Sequence, residues 1–184
     1  MSQKYLLLLS FILLLACKKK ASEEMTLPTD KTYFSIVQFA SDQFQTYGEQ
    51  PYTFQRVITL NGKTDSSFVT APYMDWESIL KPFFSADISA PKYLGQYNVS
   101  LLEDNMMDTR TLVYEAKNTV LVTRTLQIVT DMETRKIKSI YIETEKNGTL
   151  QKLFYAPVKL IQIQEYESPM IGKDKALKVE YYFL

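Results

Sequence analysis

The chain has 184 residues, of which 46% are apolar and 23% charged, and its 21 basic residues balance 21 acidic ones. Such values are typical of a globular domain and exclude a chain disordered throughout. The balanced charge gives no electrostatic basis for binding nucleic acid. Because the sequence has no His and a single Cys, it excludes Ser-His and Cys-His nucleophiles, an internal disulfide and a zinc site of the usual ligands.

The first residues carry the pattern of an export signal. Lys4 precedes an apolar run over residues 5–16, which has the length of a signal-peptide core and is too short to span a membrane. The residues Leu14-Leu15-Ala16-Cys17 then resemble the lipobox of bacterial lipoproteins. This resemblance implies that residues 1–16 are removed by cleavage between Ala16 and Cys17. It also implies that the Cys17 thiol receives a diacylglycerol, whose acyl chains anchor the protein to a membrane.

Residues 17–29 connect the lipid anchor to the rest of the chain. They contain three lysines and Pro28 but little apolar periodicity, a composition that predicts a flexible tether. The chain resembles a group of small Bacteroidota lipoproteins in the string ACKKK and in the later segments SIYIETEKNG and APVKLIQIQEY. This resemblance implies an outer-membrane location but implies no activity. In that group, acids directly after the Cys mark export to the cell surface. Glu23 and Glu24 come later, so we expect the domain to face the periplasm.

Residues 30–184 are predicted to form one α+β domain that begins with helices. Asp30 is placed to cap a first helix and Gly48 to end it. The apolar positions of this helix recur at steps of three and four residues, at Tyr33, Val37, Ala40, Phe44 and Tyr47. Asp75 is placed to cap a second, short helix, which Pro82 either ends or kinks. The aromatic residues of this second helix, Trp76, Phe83 and Phe84, suggest a lid over the core.

The remainder of the chain is predicted to be strands. Asn61-Gly62 lies between two extended stretches and favours a tight hairpin turn, and from about Tyr97 seven further strands follow in a meander. In the last strand, Leu177, Val179, Tyr181 and Phe183 alternate with polar residues, as in a sheet with one buried face. The predicted fold is therefore one or two N-terminal helices packed on a large curved antiparallel sheet, with a closed β-barrel holding a helical plug as the alternative.

Carboxylates are the remaining groups with catalytic or metal-binding potential. Glu103, Asp104 and Asp108 lie close together in EDNMMD, where oxygen ligands could hold a hard cation. We favour a polar turn and predict no metal site and no cofactor. Pairs at Glu143 and Glu145, and at Glu165 and Glu167, occupy one strand face each. Such pairs are the acid and base of a glycan hydrolase, but alternating charges on a solvated sheet explain them equally well.

These observations favour a non-enzymatic, membrane-anchored envelope lipoprotein whose domain binds a partner protein or an apolar ligand, or serves as a scaffold. A carboxylate-dependent hydrolase acting on envelope glycans is the alternative. Tyr182 should lie on the sheet face opposite the core, and Tyr141 is a second candidate for that face. Together with Trp76 they are the predicted ligand or partner surface, because aromatic rings combine large apolar area with a polar edge. A contiguous aromatic row would mark a binding surface.

Overall fold

A computed structural model describes residues 32–169 and 174–184. The predicted signal peptide, Cys17 and the tether lie outside these residues. Within the described ranges, no helix combines the length and the apolar character needed to cross a membrane. The described residues form two α-helices and one sheet of nine strands.

The first helix, α1 (Ile36–Tyr47), begins later in the chain than the sequence indicates. Ser35 caps it, with its hydroxyl accepting a hydrogen bond from the backbone N–H of Gln38 at 3.1 Å. The predicted cap at Asp30 is therefore wrong for this helix, and residue 30 itself lies outside the described residues. Gly48 ends the helix as predicted, donating its N–H to the carbonyl of Phe44.

The second helix, α2 (Trp76–Ser85), is capped by Asp75 as predicted. Pro82 lies inside it without ending it, since the helix continues to Ser85; the proline's missing N–H removes one backbone hydrogen bond from the helix. Short 3₁₀ turns precede and follow the helix at Ala71–Tyr73 and Pro91–Tyr93.

All nine strands belong to one antiparallel sheet. They are β1 (Thr53–Leu60), β2 (Lys63–Thr70), β3 (Tyr97–Asp104), β4 (Thr109–Ala116), β5 (Thr123–Asp131), β6 (Ile137–Lys146), β7 (Thr149–Ala156), β8 (Leu160–Glu167) and β9 (Lys175–Phe183). The spatial order is β2-β1-β9-β8-β7-β6-β5-β4-β3. Asn61 and Gly62 join β1 to β2 with φ of 49° and 82°, the left-handed conformation that a tight hairpin requires.

The sheet is open, so the barrel alternative is wrong. After the first hairpin, the segment containing α2 delivers the chain to β3 at the far edge, and the meander then returns it until β9 pairs with β1. Strands β2 and β3 remain as the two edges. A barrel would require these two strands to pair.

The two faces of the sheet differ in what covers them. The helix-bound face carries α1 and α2, and its central side chains are fully buried: Phe54, Ile140, Ile142, Leu153, Tyr155 and Ile161. Phe39 of α1 and Phe83 of α2 both meet the ring of Tyr155 edge-on, with centroids 5.3 and 6.0 Å away. The opposite face, called the open face below, includes Tyr141, Phe154 and Glu180 by strand register.

Asp87 ties the start of α1 to the segment that follows α2. Its carboxylate accepts hydrogen bonds from the Ser35 hydroxyl, from the backbone N–H of Val37 at 2.8 Å and from Ser89. Burial acts to raise the pKa of Asp87, but the hydrogen bonds from Ser89, Val37 and Ser35 outweigh it and leave the pKa below its usual value. The ionised carboxylate therefore holds the two helices in a fixed relation.

Candidate functional site

A groove of about 480 Å³ runs between α2 and the helix-bound face of the sheet. Its wall is formed by Ile79 and Pro82 of α2 and by Met74, which precedes the helix. Strands β8 and β9 form its floor, and the apolar side chains there are Ile163, Leu177 and Val179. We call this cavity the α2 groove. It exists because α2 lies over only part of the floor and leaves these strands incompletely covered.

Arg56 brings a positive charge to one end of the α2 groove. It lies on β1, directly opposite Tyr181 of β9 and Ser67 of β2. Its Nε donates a hydrogen bond to the Ser67 hydroxyl at 3.1 Å. Burial raises the pKa of Tyr181, with the nearby Arg56 charge lowering it and Asp75 raising it further. The tyrosine is therefore a neutral hydroxyl beside the guanidinium.

Two carboxylates also line the α2 groove, and both have partners. Asp75, at the start of α2, accepts hydrogen bonds from the hydroxyl and the backbone N–H of Ser78 at 2.7 and 3.1 Å. These bonds lower the pKa of Asp75. Glu165, on β8, accepts a hydrogen bond from the Gln151 amide at 3.1 Å. The polar side chains therefore frame a mainly apolar channel, an arrangement typical of small-molecule sites.

The α2 groove continues beyond Pro82 into a second cavity of about 420 Å³. The two cavities share Pro82 and Gln151 as lining residues. The continuation is more polar, with Thr144 and Thr149 on the sheet and Lys146 at the hairpin between β6 and β7. A ligand longer than the groove can therefore extend toward this hairpin.

A separate cavity of about 360 Å³ lies between the two helices. Phe44, Leu80 and Phe84 line it together with Trp76. Trp76, one of the predicted surface residues, is only 6% exposed. Its indole N–H donates to the carbonyl of Ala71 at 2.8 Å, and its ring lies against Phe54 and Phe44. Trp76 is thus mainly part of the core and reaches this cavity with one edge.

Tyr141 and Tyr182, the other predicted surface residues, lie on the open face, on strands β6 and β9. Each hydroxyl donates to a carboxylate on its own strand, Tyr141 to Glu143 at 2.9 Å and Tyr182 to Glu180 at 3.0 Å. Burial, aided by the bonded carboxylate, raises the pKa of Tyr141 to about 12. Two strands separate the tyrosines, and Gln162 lies between them on β8. They do not form one continuous aromatic row.

The carboxylates singled out in the sequence are spread over the sheet. Glu143 and Glu145 point to the open face, whereas Glu165 and Glu167 point to the helix-bound face. Of the six acids at positions 104, 108, 143, 145, 165 and 167, Glu165 alone lines the α2 groove.

In the hairpin tip EDNMMD, Glu103 and Asp104 are engaged in local contacts. Glu103 pairs with Arg110 at 2.8 Å, and Asp104 accepts hydrogen bonds from the backbone N–H groups of Met106 and Met107. These contacts are those of a polar turn. Among residues 32–169 and 174–184, no group of three or more Asp, Glu, Cys or His side chains is arranged to hold a metal ion.

Comparisons with protein-family models, with curated proteins and with solved structures find no match for this chain. The site must therefore be interpreted from its own geometry.

Arg56 is the groove residue that the sequence interpretation missed. In β1, Phe54, Arg56, Ile58 and Leu60 share one strand face. The sequence could have indicated Arg56, because it is the one cation among the apolar residues of this strand face and an unpaired charge is costly to bury.

Proposed function

We propose that this protein is a lipid-anchored, non-enzymatic lipoprotein of the outer membrane, facing the periplasm, whose domain binds an aliphatic ligand in the α2 groove. The observation that carries the proposal is the groove itself, a cavity of about 480 Å³ with an apolar floor and an apolar helix wall. Its volume lies in the range of pockets that hold small organic molecules. Ile163, Leu177 and Val179 are only partly buried and offer the ligand apolar surface that otherwise contacts water.

The energetics favour a reversible binder. A methylene contributes about 0.8 kcal/mol when fully buried, and a groove open on one side buries each methylene only in part. An aliphatic chain of about ten methylenes, each half buried, then gains roughly 4 kcal/mol before the costs of ordering. Such a ligand binds weakly enough to be released, as a carrier or sensor of envelope lipids requires.

The anchor places the domain where such ligands are abundant. Cys17, with its expected acyl chains, would hold the domain at the membrane, and the tether over residues 17–29 would let the groove approach lipid. The chain has no His and its one Cys would be acylated, which favours a domain that binds its ligand without a catalytic step. A partner protein on the open face is the other version of this proposal, and the discontinuity between Tyr141 and Tyr182 makes it the weaker one.

Bound lipid is the direct test of the proposed function. The chain from residue 17 onward, with Cys17→Ser to prevent acylation, is produced behind a cleavable signal peptide that has no lipobox, and is purified from a bacterial periplasm without detergent. Because a ligand this weak is lost on purification, dodecanol is added to the purified chain. Native mass spectrometry is then expected to show the chain with one added dodecanol mass that disappears in the denatured spectrum. A chain that stays bare with dodecanol present would contradict the proposal.

The anchor is tested separately on the full-length chain. Cells given a labelled palmitate analogue should incorporate it into the wild-type protein and not into Cys17→Ser. Ala16→Ser, which keeps a small residue before Cys17, serves as the matched control and should still be labelled. Equal labelling of the Cys17→Ser protein would refute acylation at this thiol.

A further inference from the structure

At one end of the α2 groove lies Arg56, a cation whose hydrogen-bond donors are only partly used. Arg56 is half-buried between Tyr181 and Ser67, and its Nε is committed to the Ser67 hydroxyl. Among the described residues, no carboxylate oxygen lies within 4.0 Å of its guanidinium, and its two Nη groups have no hydrogen-bond partner. The outer edge of the guanidinium therefore remains available to a ligand.

The unused edge has the geometry that a carboxylate recognises. The two Nη groups of an arginine donate parallel hydrogen bonds to the two oxygens of a carboxylate, and such charge-assisted pairs are stronger than neutral hydrogen bonds. Tyr181, the cross-strand neighbour of Arg56, adds a neutral hydroxyl at the same end of the groove. An anionic head placed here would leave the aliphatic part of its molecule to lie along Val179 and Ile163.

The carboxylates of the groove do not occupy this position. Glu165 is offset from Arg56 by four residues along the strands and by two strands across the sheet, a separation of about 16 Å from strand geometry. Asp75 lies nearer, and its charge acts on the same Tyr181 hydroxyl as that of Arg56, but both of its oxygens accept hydrogen bonds from Ser78 at the start of α2. The Nη edge of Arg56 is therefore not paired with either acid of the groove.

We infer that the α2 groove selects a long-chain monocarboxylate, whose carboxylate binds the Nη edge of Arg56 and whose aliphatic chain lies between α2 and strands β8 and β9. This inference rests on the proposed function, since it names the class of ligand that the same groove takes. Lys146, in the continuation of the groove, is the other cation along the path. It is exposed at a hairpin, where water solvates it and weakens any ion pair.

The test compares three ligands with one chain length and different heads: dodecanoate, dodecanol and dodecylammonium. Each is titrated by calorimetry, below its aggregation concentration and near neutral pH, into the chain from residue 17 onward carrying Cys17→Ser. Dodecanoate is expected to bind about tenfold more tightly than dodecanol, the ratio that one charge-assisted hydrogen-bonded pair provides at a half-exposed site. Dodecylammonium should bind more weakly than both.

Variants assign the preference to one residue. Arg56→Gln should lower the affinity for dodecanoate to that for dodecanol. Arg56→Lys keeps the charge but loses the two parallel Nη donors, and should retain part of the preference for dodecanoate over dodecanol. Lys146→Gln, the matched loss of a cation, should leave the preference unchanged. Unfolding midpoints are measured for all three variants to check that each one folds.

The outcomes separate this inference from the function on which it rests. Equal binding of dodecanoate and dodecanol by the unsubstituted groove would overturn the inference and leave aliphatic binding intact. A preference lost in Lys146→Gln and kept in Arg56→Gln would also overturn it, because the head would then lie at the other end. Failure of all three ligands to bind would refute the proposed function itself.

Discussion

Replacing Ile163 with Trp should block the α2 groove without disturbing the rest of the sheet. Ile163 lies at the centre of the floor, opposite Leu153 of β7 and Val179 of β9. It is only partly buried, so a larger side chain can extend into the groove rather than into the core. Tryptophan is also well accepted in strands. The substitution therefore fills space that a ligand would use.

The expected loss of affinity follows from the ligand surface that the indole displaces. An indole on the floor excludes about four methylenes of an aliphatic chain, and half-buried methylenes contribute about 0.4 kcal/mol each. The loss is then about 1.6 kcal/mol, or roughly fifteenfold in the dissociation constant. Calorimetric titration with dodecanol measures it, and a urea unfolding curve checks that stability changes by less than about 1 kcal/mol.

Gln164→Trp is the matched control, because the next residue of the same strand points to the open face. Gln164 lies in register with Lys178 and Lys152, away from the groove. This control should bind dodecanol as the unsubstituted protein does. If Ile163→Trp and Gln164→Trp bind dodecanol equally well, the ligand does not lie in the α2 groove.

Three further substitutions test the surroundings of the groove. Asp87→Asn should lower the free energy of unfolding by about 1 kcal/mol. Because the folded pKa of Asp87 is depressed, this stabilisation is complete above the unfolded pKa of about 3.9 and disappears as pH falls through the folded pKa. Urea unfolding curves of the wild type and of Asp87→Asn that differ equally at acidic and at neutral pH would contradict this role. Trp76→Phe should cost about 1–3 kcal/mol in the same assay, since the Ala71 carbonyl loses its buried donor, and an unchanged midpoint would refute this role. The double variant Tyr141→Phe and Tyr182→Phe should leave dodecanol affinity unchanged, and weaker binding in the same titration would relocate the ligand to the open face.

Features that depend on short stretches of chain could be predicted from the sequence. The hairpin at Asn61-Gly62 follows from local backbone preference. The period of two in β9 places Leu177 and Val179 on the helix-bound face as predicted, but the opposite face is not uniformly solvated, because Glu180 there is only 6% exposed. The cap of α2 at Asp75 followed from a capping residue just before an apolar period.

The start of α1 depended on contacts between distant segments. The apolar period included Tyr33, but its ring meets Tyr97 and Tyr114 edge-on, with centroids 5.9 and 5.2 Å away. Its hydroxyl also accepts a hydrogen bond from the N–H of Gly95. These contacts keep the residues before Ile36 out of the helix, and no local pattern reports them.

The site was less predictable than the fold for the same reason. Which part of the floor remains uncovered depends on how far α2 extends over the sheet, and this is decided by the packing of Phe83 and Trp76 against side chains far away in sequence. Of the predicted surface residues, Trp76 lies in the core, and Tyr141 and Tyr182 lie apart on the open face. The sequence shows Arg56 among the apolar residues of one strand face, but it does not show that this face borders a cavity.

Methyl resonances offer the most direct test of aliphatic binding in the α2 groove. The chain from residue 17 onward, with Cys17→Ser and labelled methyl groups, is titrated with dodecanol while its two-dimensional spectrum is recorded. The largest shifts should fall on Ile79, Ile163 and Val179, which line the groove. Shifts concentrated on Leu80 of the cavity between the helices, or on Val57 of the open face, would contradict the account.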